Sequence, residues 1–277
     1  MQDLPAYETA RRQAGALAGG HCWVEELVDG SPLRFRVAGS GLIEFADHDG
    51  PLGGDVPPRY RNAVRTVRER LDREAVRNAV DDPTTVTFVG VATHYRRVEY
   101  DWATLPGFLG TAVHHADRDR FLPPDVTRQA FERVGLDPIR IVDQEVRCAD
   151  VDPEAYSLPD SAWRDGPVAG LVFTNKAGGR AVLRRSNTDA DPRRTEGVDG
   201  FDSLETLLAA VVTDDWLRAV ADTLAAESGT VTADVVAERS VERIGRETRA
   251  LRSTGVDAAE LRQAVAERAG RLPVVRS

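Results

Sequence analysis

The apolar residues of this 277-residue chain change their period once, and that change limits the folds open to it. Up to about residue 185, short apolar runs alternate with polar side chains or are rich in β-branched residues, and turn residues punctuate them, which is the pattern of closely connected strands. After residue 200 the apolar positions recur every three or four residues, as on one face of a helix. The first region therefore reads as α+β with mostly antiparallel strands, and the second as a small helical bundle. Residues 186–200, rich in aspartate, glycine and other turn formers, read as the linker. The expected division is a first domain over residues 1–195 and a C-terminal helical domain over 196–277.

Within the first region, residues 23–26 and 33–37 flank the turn Asp29-Gly30-Ser31 and read as a hairpin, followed by a strand at 42–45. Ala63, Val67, Leu71 and Ala75 recur every four residues, which predicts one helix over about 59–80, stopped by Asp81-Asp82-Pro83. A strand is expected at 84–91, a helix at 123–134 closed by Gly135, and a further strand at 139–142. Residues 168–173 and 180–184 form a second hairpin across 175–179. In the tail, Asp202 with Glu205 and Asp257 with Glu260 are capping patterns, and Thr213 and Thr232 open two more helices. Four helices result, whose apolar stripes, such as Leu207, Leu217, Val236 and Leu261, read as core.

No apolar run approaches the roughly 18 residues of a membrane span, and the first residues lack a signal peptide's apolar stretch, so a soluble, cytoplasmic protein is expected, without a membrane partner. The net charge of −9 argues against general coating of nucleic acid and leaves room only for a local basic groove. Nothing signals DNA in particular. Of 36 basic residues only Lys176 is a lysine, a skew that reads as halophilic adaptation. Cys22 and Cys148 are too few for a disulfide scaffold or a thiolate metal site and read as two buried or idle thiols. The five histidines show no i, i+4 pair, so no metal is expected; the run at 115–119 reads as a solvated loop. Phosphate-binding glycine loops and a nucleophile elbow are absent from the sequence.

Four segments nevertheless stand in a telling order. "VEELVDGSPLRFRV" at 24–37 resembles the nucleotide-binding signature of the RNA ligases within the covalent nucleotidyltransferases, a glutamate followed by lysine-x-aspartate-glycine and then a basic strand. "FVGVATHYRRVEYDW" at 88–102 is similar to the next block of that family, an aromatic-x-glycine-glutamate strand leading to tyrosine-aspartate-tryptophan, and "LPGFLGTAVHHADRDRFLPPD" continues it. "PVAGLVFTNKAGGRAVLRR" at 167–185 resembles the last two motifs, glutamate-glycine-valine-valine and then lysine-x-lysine or arginine. The resemblance covers about residues 20–190. It implies an ATP-grasp-like RNA ligase nucleotidyltransferase domain, followed by a helical domain of the kind some of these ligases carry.

In that family a lysine amine attacks the α-phosphate of ATP, and the adenylyl group passes to an RNA 5′-phosphate. Here Leu27 stands at the lysine's position, Val91 at that of the strand glutamate, Ala169 at that of the next motif's glutamate and Val182 at that of the final motif's first lysine. Asp29, Gly30, Arg34 and Arg184 keep polar or turn chemistry as residual nucleotide-binding positions. A leucine has no nucleophile, and aliphatic residues offer magnesium nothing. The resemblance thus implies a degenerate nucleotidyltransferase with no cofactor, acting as an RNA-binding or ligase-associated subunit. Its partner would be RNA, met by Arg34, Arg36, Arg184 and Arg185, or a catalytically complete ligase. The alternative is an active ATP- and magnesium-dependent RNA ligase with an unrecognised nucleophile, for which Lys176, Cys22 and His21 are the residues to examine. A third possibility is a structural subunit without a ligand.

Overall fold

A computed structural model describes residue 17 and residues 19–152, 155–176, 179–184, 201, 203–229, 231–248, 251 and 256–273. The chain divides into two compact units, one of Met1–Val56, Ala63–Thr93 and Arg97–Ala190, the other of Pro57–Asn62, His94–Arg96 and Asp191–Ser277.

The first unit is built on two antiparallel sheets. Strands β1 (His21–Glu26), β7 (Ile141–Arg147), β8 (Gly170–Asn175) and β9 (Arg180–Arg184) form a four-stranded sheet in the order β7-β1-β8-β9. Strands β2 (Gly30–Val37), β3 (Ile43–Ala46), β4 (Val86–Thr93), β5 (Phe108–His115) and β6 (Arg120–Phe121) form a five-stranded sheet in the order β3-β2-β4-β5-β6. Interior strands are covered on both faces, which is why β8 is buried along its whole length and why β4 reads as a continuous apolar run instead of alternating. Helices α1 (Pro58–Arg70), α2 (Arg73–Ala79) and α3 (Pro124–Arg133) complete the described helices whose residues fall largely in this unit. Phe131 of α3 packs edge-on to Phe88 of β4 at 5.7 Å, and Phe88 stacks on Phe35 of β2 at 5.0 Å. Such pairs add about 0.5–1.5 kcal/mol each to the area they bury.

Several expectations need correction. Residues 23–26 and 33–37 are not a hairpin: β1 and β2 belong to different sheets, and residues 27–29 cross between them. The helix expected over 59–80 is two helices. Asp72 breaks it, its side chain capping α2 by accepting from the Ala75 N–H, while its own N–H donates to the Val134 carbonyl. The four-residue stripe runs through the break, so periodicity alone conceals it. The strand expected at 139–142 is β7, shifted towards the C-terminus; its exposed Asp143-Gln144-Glu145 gives it no apolar signature. Cys22 and Cys148 are not idle thiols but a disulfide. Pairing of His21 with Arg147 brings the start of β1 beside the end of β7, one residue from Cys148. The β8–β9 hairpin, β4 and α3 lie where the sequence puts them, and residues 186–200 lie outside the described residues.

The second unit carries α4 (Leu204–Val211), α5 (Asp214–Ser228), α6 (Ala233–Glu247) and α7 (Ala258–Ala269). Thr213, Thr232 and Asp257 cap α5, α6 and α7 as expected. The cap of α4 is Ser203, in a reciprocal capping box with Thr206, and the expected Asp202 lies outside the described residues. Leu207, Leu217, Val236, Ile244, Leu261 and Val265 make one core, each burial contributing roughly 1.5–3 kcal/mol. Residues 57–62 and 94–96 count with this unit: Asn62 Nδ2 donates to Glu242 Oε1 at 2.9 Å, and the Tyr95 N–H to the Arg246 carbonyl at 2.7 Å. No helix among the described residues is long and apolar enough to cross a membrane.

Candidate functional site

The crossing from one sheet to the other organises the site. Side chains of a strand alternate between its faces, so Trp23, Glu25 and Leu27 share one face, and Cys22, Val24 and Glu26 the other. Glu25 pairs with Val172, and the Leu27 N–H extends the ladder to the Gly170 carbonyl at 2.9 Å. On the next strand Val182 lies opposite Val172 and Arg184 opposite Gly170. The face that carries Leu27 therefore also carries Val182 and Arg184. It looks towards the five-stranded sheet, because Arg180 on the same face donates from Nη2 to the Thr111 carbonyl of β5 at 3.4 Å.

Two close approaches shape this cleft. A Cβ on Gly170 would stand 2.9 Å from Leu27 Cδ2 and 2.3 Å from the Leu183 carbonyl oxygen, so the half-buried leucine lies directly on a glycine, beside the buried Ala169. A Cβ on Gly30 would stand 2.5 Å from Val91 Cγ1 and 2.3 Å from the Ala92 carbonyl oxygen. Leu27, Ala169 and Val182 thus gather at the four-stranded sheet, and Gly30 and Val91 at the other end of the same short crossing.

The residual polar positions are engaged. Asp29 Oδ2 accepts from the Arg97 and Val98 N–H groups at 2.8 and 2.9 Å, and the Asp29 N–H donates to Tyr100 Oη at 3.0 Å. Val28 packs with Tyr100, Leu105 and Leu109. The first two sequence blocks therefore meet in space. Burial raises the Tyr100 phenol well above its ordinary pKa, the Asp29 carboxylate adding to the shift, so it stays protonated and can also donate. Arg34 is buried and donates from Nη2 to the Asp47 carbonyl at 2.7 Å. With Arg36 and Arg68 it lines an open cavity of about 890 Å³ at the β3 edge. Arg184 is exposed at the end of β9. Asp47, His48 and Asp49 form a metal-sized cluster, but Asp47 Oδ1 already accepts the N–H groups of Asp49 and Gly50, the hydrogen bonding of a tight turn.

Sequence reasoning passed over Glu25, whose carboxylate is buried in the cleft face. It accepts from Thr174 Oγ1 at 3.2 Å, and burial pushes its pKa up to about 7, against the opposing pull of Arg180 and of the threonine. Glu26, on the opposite face, is held by Ser161 Oγ at 2.5 Å and Arg140 at 3.2 Å. Two adjacent acids inside an interior strand were the signal.

At the four positions that the resemblance aligns with the family's charged residues, Leu27, Val91, Ala169 and Val182, the side chains offer no donor to a phosphate or a metal; the charged side chains on the Leu27 face are Glu25, Arg180 and Arg184, and Glu26 is already bonded on the far face. The other nucleophile candidates lie elsewhere. Cys22 is in the disulfide, and His21 and Lys176 both approach Glu145, at 4.0 and 3.2 Å. Lys176 also sits over the Trp23 ring at 4.8 Å. Cys22 pairs with Asn175, five strand positions from Leu27, or roughly 17 Å at the strand rise.

No family model matches the chain, and neither does any curated protein. Among solved structures, a lysine-to-alanine variant of the Naegleria gruberi RNA ligase with ATP and Mn aligns over 69% of this chain with a TM-score of 0.53 and 15% identity. The same ligase with PPi aligns over 68% with a TM-score of 0.52 and 15% identity. The chain spans 57% of the length of these ligase chains. An archaeal ATP-dependent RNA ligase aligns over 89% of this chain and 63% of its own, at 14% identity and a TM-score of 0.49. The two antiparallel sheets, the crossing at residues 27–29 and the Naegleria alignments agree: this chain has the RNA ligase-type nucleotidyltransferase fold.

Proposed function

We propose that this chain is a catalytically degenerate nucleotidyltransferase that has kept the RNA ligase scaffold and works by binding RNA. The observation that carries the reading is Leu27 lying on Gly170, an aliphatic contact where covalent capture of adenosine needs an amine. Once no nucleotide is bound, an apolar filling is the stable arrangement, because unpaired charges buried there would be costly. Arg36 and Arg68 around the β3-edge cavity, with Arg184 on β9, are the groups to follow an RNA phosphate track, while the buried Arg34 holds the cavity wall through the Asp47 carbonyl; Arg185 lies outside the described residues. A cytoplasmic site of action belongs to the same proposal, and cell fractionation tests it.

Incubation with radiolabelled ATP and magnesium, followed by a denaturing gel, tests the degenerate half. No covalent adenylyl label is expected, and a label would overturn the reading in favour of an active ligase. Titration with 5′-phosphorylated RNA at several salt concentrations tests the binding half. If Arg36, Arg68 and Arg184 each neutralise one phosphate, log affinity against log salt has a slope of about −2. A flat, undetectable response rejects RNA and leaves association with a complete ligase.

A further inference from the structure

A second cavity, of about 370 Å³, lies between α2, α3 and the β4–β5 pair. Its floor is Val86 and Phe88 of β4 with Val113 of β5, its walls Val76 and Ala79 of α2 and Ala130 and Val134 of the α3 segment. Phe88 and Val91 sit on opposite faces of β4, three residues apart, so this cavity is separated from the cleft by the sheet itself. Its chemistry differs as well.

The apolar interior opens at a polar rim of one sign. Arg118 and Arg133, both exposed, line it together with Gln129, and no aspartate or glutamate does, in a chain with an excess of acids. Neither arginine has a carboxylate partner among the described residues, whereas Arg128, also on α3, is paired with Glu132 at 2.5 Å. His115 also lines the cavity, and its Nδ1 is buried without a hydrogen-bond partner among the described residues. Buried polar atoms are nearly always bonded, and an unmade bond of this kind costs about 1–3 kcal/mol. Val126 stands at the opening with 41% of its surface exposed. An apolar chamber and two uncommitted guanidinium groups ask for one kind of occupant.

We propose that this cavity is a binding site for a medium-chain carboxylate, its hydrocarbon body on Val86, Phe88 and Val113 and its carboxylate between Arg118 and Arg133. The size agrees: about 370 Å³ lies within the roughly 300–1,000 Å³ of small-ligand sites, and decanoate is a probe of that scale. Guanidinium groups pair with carboxylates through two parallel hydrogen bonds, which fixes the orientation of the bound chain. The site does not depend on the reading of the cleft.

Isothermal titration of the full chain with decanoate, and in parallel with decanol, tests the assignment. Saturable binding of one decanoate per chain is expected, with decanol about tenfold weaker because it forgoes the charge-assisted pair. Arg133→Glu and Arg118→Glu should each weaken decanoate about tenfold or more and leave decanol unchanged, while Arg128→Glu, outside the cavity, changes neither. All three positions are exposed, and circular dichroism confirms that the variants fold. Absence of saturable binding, equal affinity for decanol and decanoate, or Arg118 and Arg133 variants that bind decanoate as the parent does would each overturn the proposal.

Discussion

Glu25 makes stability depend on pH in a direction opposite to that of most carboxylates. Its folded pKa of about 7 lies above the ordinary 4.5, so between these values the folded chain holds a proton that the unfolded chain has released. Stability therefore falls as pH rises from about 4.5 to 7 and loses nothing more from this group above 7. A shift of this size corresponds to about 3 kcal/mol, an order-of-magnitude figure. Glu25→Gln should accordingly stabilise the chain at pH 8 by a few kcal/mol and change little at pH 4, which urea unfolding at the two pH values measures. Equal effects at both would mean that folding does not shift the group's pKa. The same residue shows where sequence reading reached its limit. Leu27, Val91, Ala169 and Val182 stand out because four blocks fix a register, whereas Glu25, although inside the first block, matches none of its motif positions, and only the pairing of β1 with β8 and the burial of its face disclose it.

Among the elements, the crossing between the sheets has the most to lose. Asp29 ties it to the segment after β4 with two backbone hydrogen bonds to one carboxylate oxygen, and the Tyr100 hydroxyl closes the clamp. Charge-assisted bonds contribute about 1.5–3 kcal/mol, and removing the acceptor leaves two N–H groups unmade. Asp29→Ala should therefore destabilise the first unit by roughly 2–3 kcal/mol, with Asp29→Asn milder because it keeps an acceptor. Chemical denaturation gives the cost. Amide hydrogen exchange at Arg97 and Val98 shows whether the clamp is what was lost, since unchanged protection there would contradict it. An Asp-Gly turn between two apolar runs is also the signal of a hairpin, and the sequence reads it so. What decides otherwise is long-range: β1 finds β7 and β8, and β2 finds β4 besides its hairpin neighbour β3, with β4, β7 and β8 between 53 and 153 positions away, where no local pattern encodes the pairing. The break between α1 and α2 is hidden for a related reason, since the stripe of Ala63, Val67, Leu71 and Ala75 keeps its spacing across Asp72, which caps a new helix. The bundle was the most legible part because its threonine caps and three-to-four spacing are local.

Across the whole molecule, composition predicted more about the surface than about the scaffold. Two arginines of α1 pair with acids, Arg65 with Glu69 at 2.9 Å and Arg61 with Glu238 at 3.3 Å, whereas Arg68 of the same helix lines the β3-edge cavity. Whether the arginine skew reflects a halophilic habitat is a proposal that unfolding midpoints in dilute and molar salt decide. Two cysteines admit a single pairing, yet composition favoured idle thiols because the bond depends on β7, an edge strand too polar to be read. The Cys22–Cys148 disulfide encloses the whole five-stranded sheet in a loop spanning 126 positions and sits in the core of Val24, Leu171 and Phe173. In the chain-entropy treatment, closing so long a loop restricts the unfolded chain by up to about 5 kcal/mol, and native disulfides of this kind contribute 2–5 kcal/mol. With a few degrees of melting temperature per kcal/mol for a unit of this size, reduction should lower the first unit's midpoint by roughly 10 °C. Cys22→Ala should reproduce that drop and make it insensitive to reductant. Thiol titration of the denatured, non-reduced chain should find no free thiol; two thiols there, or a midpoint indifferent to reductant in the parent chain, would show that the bond does not form.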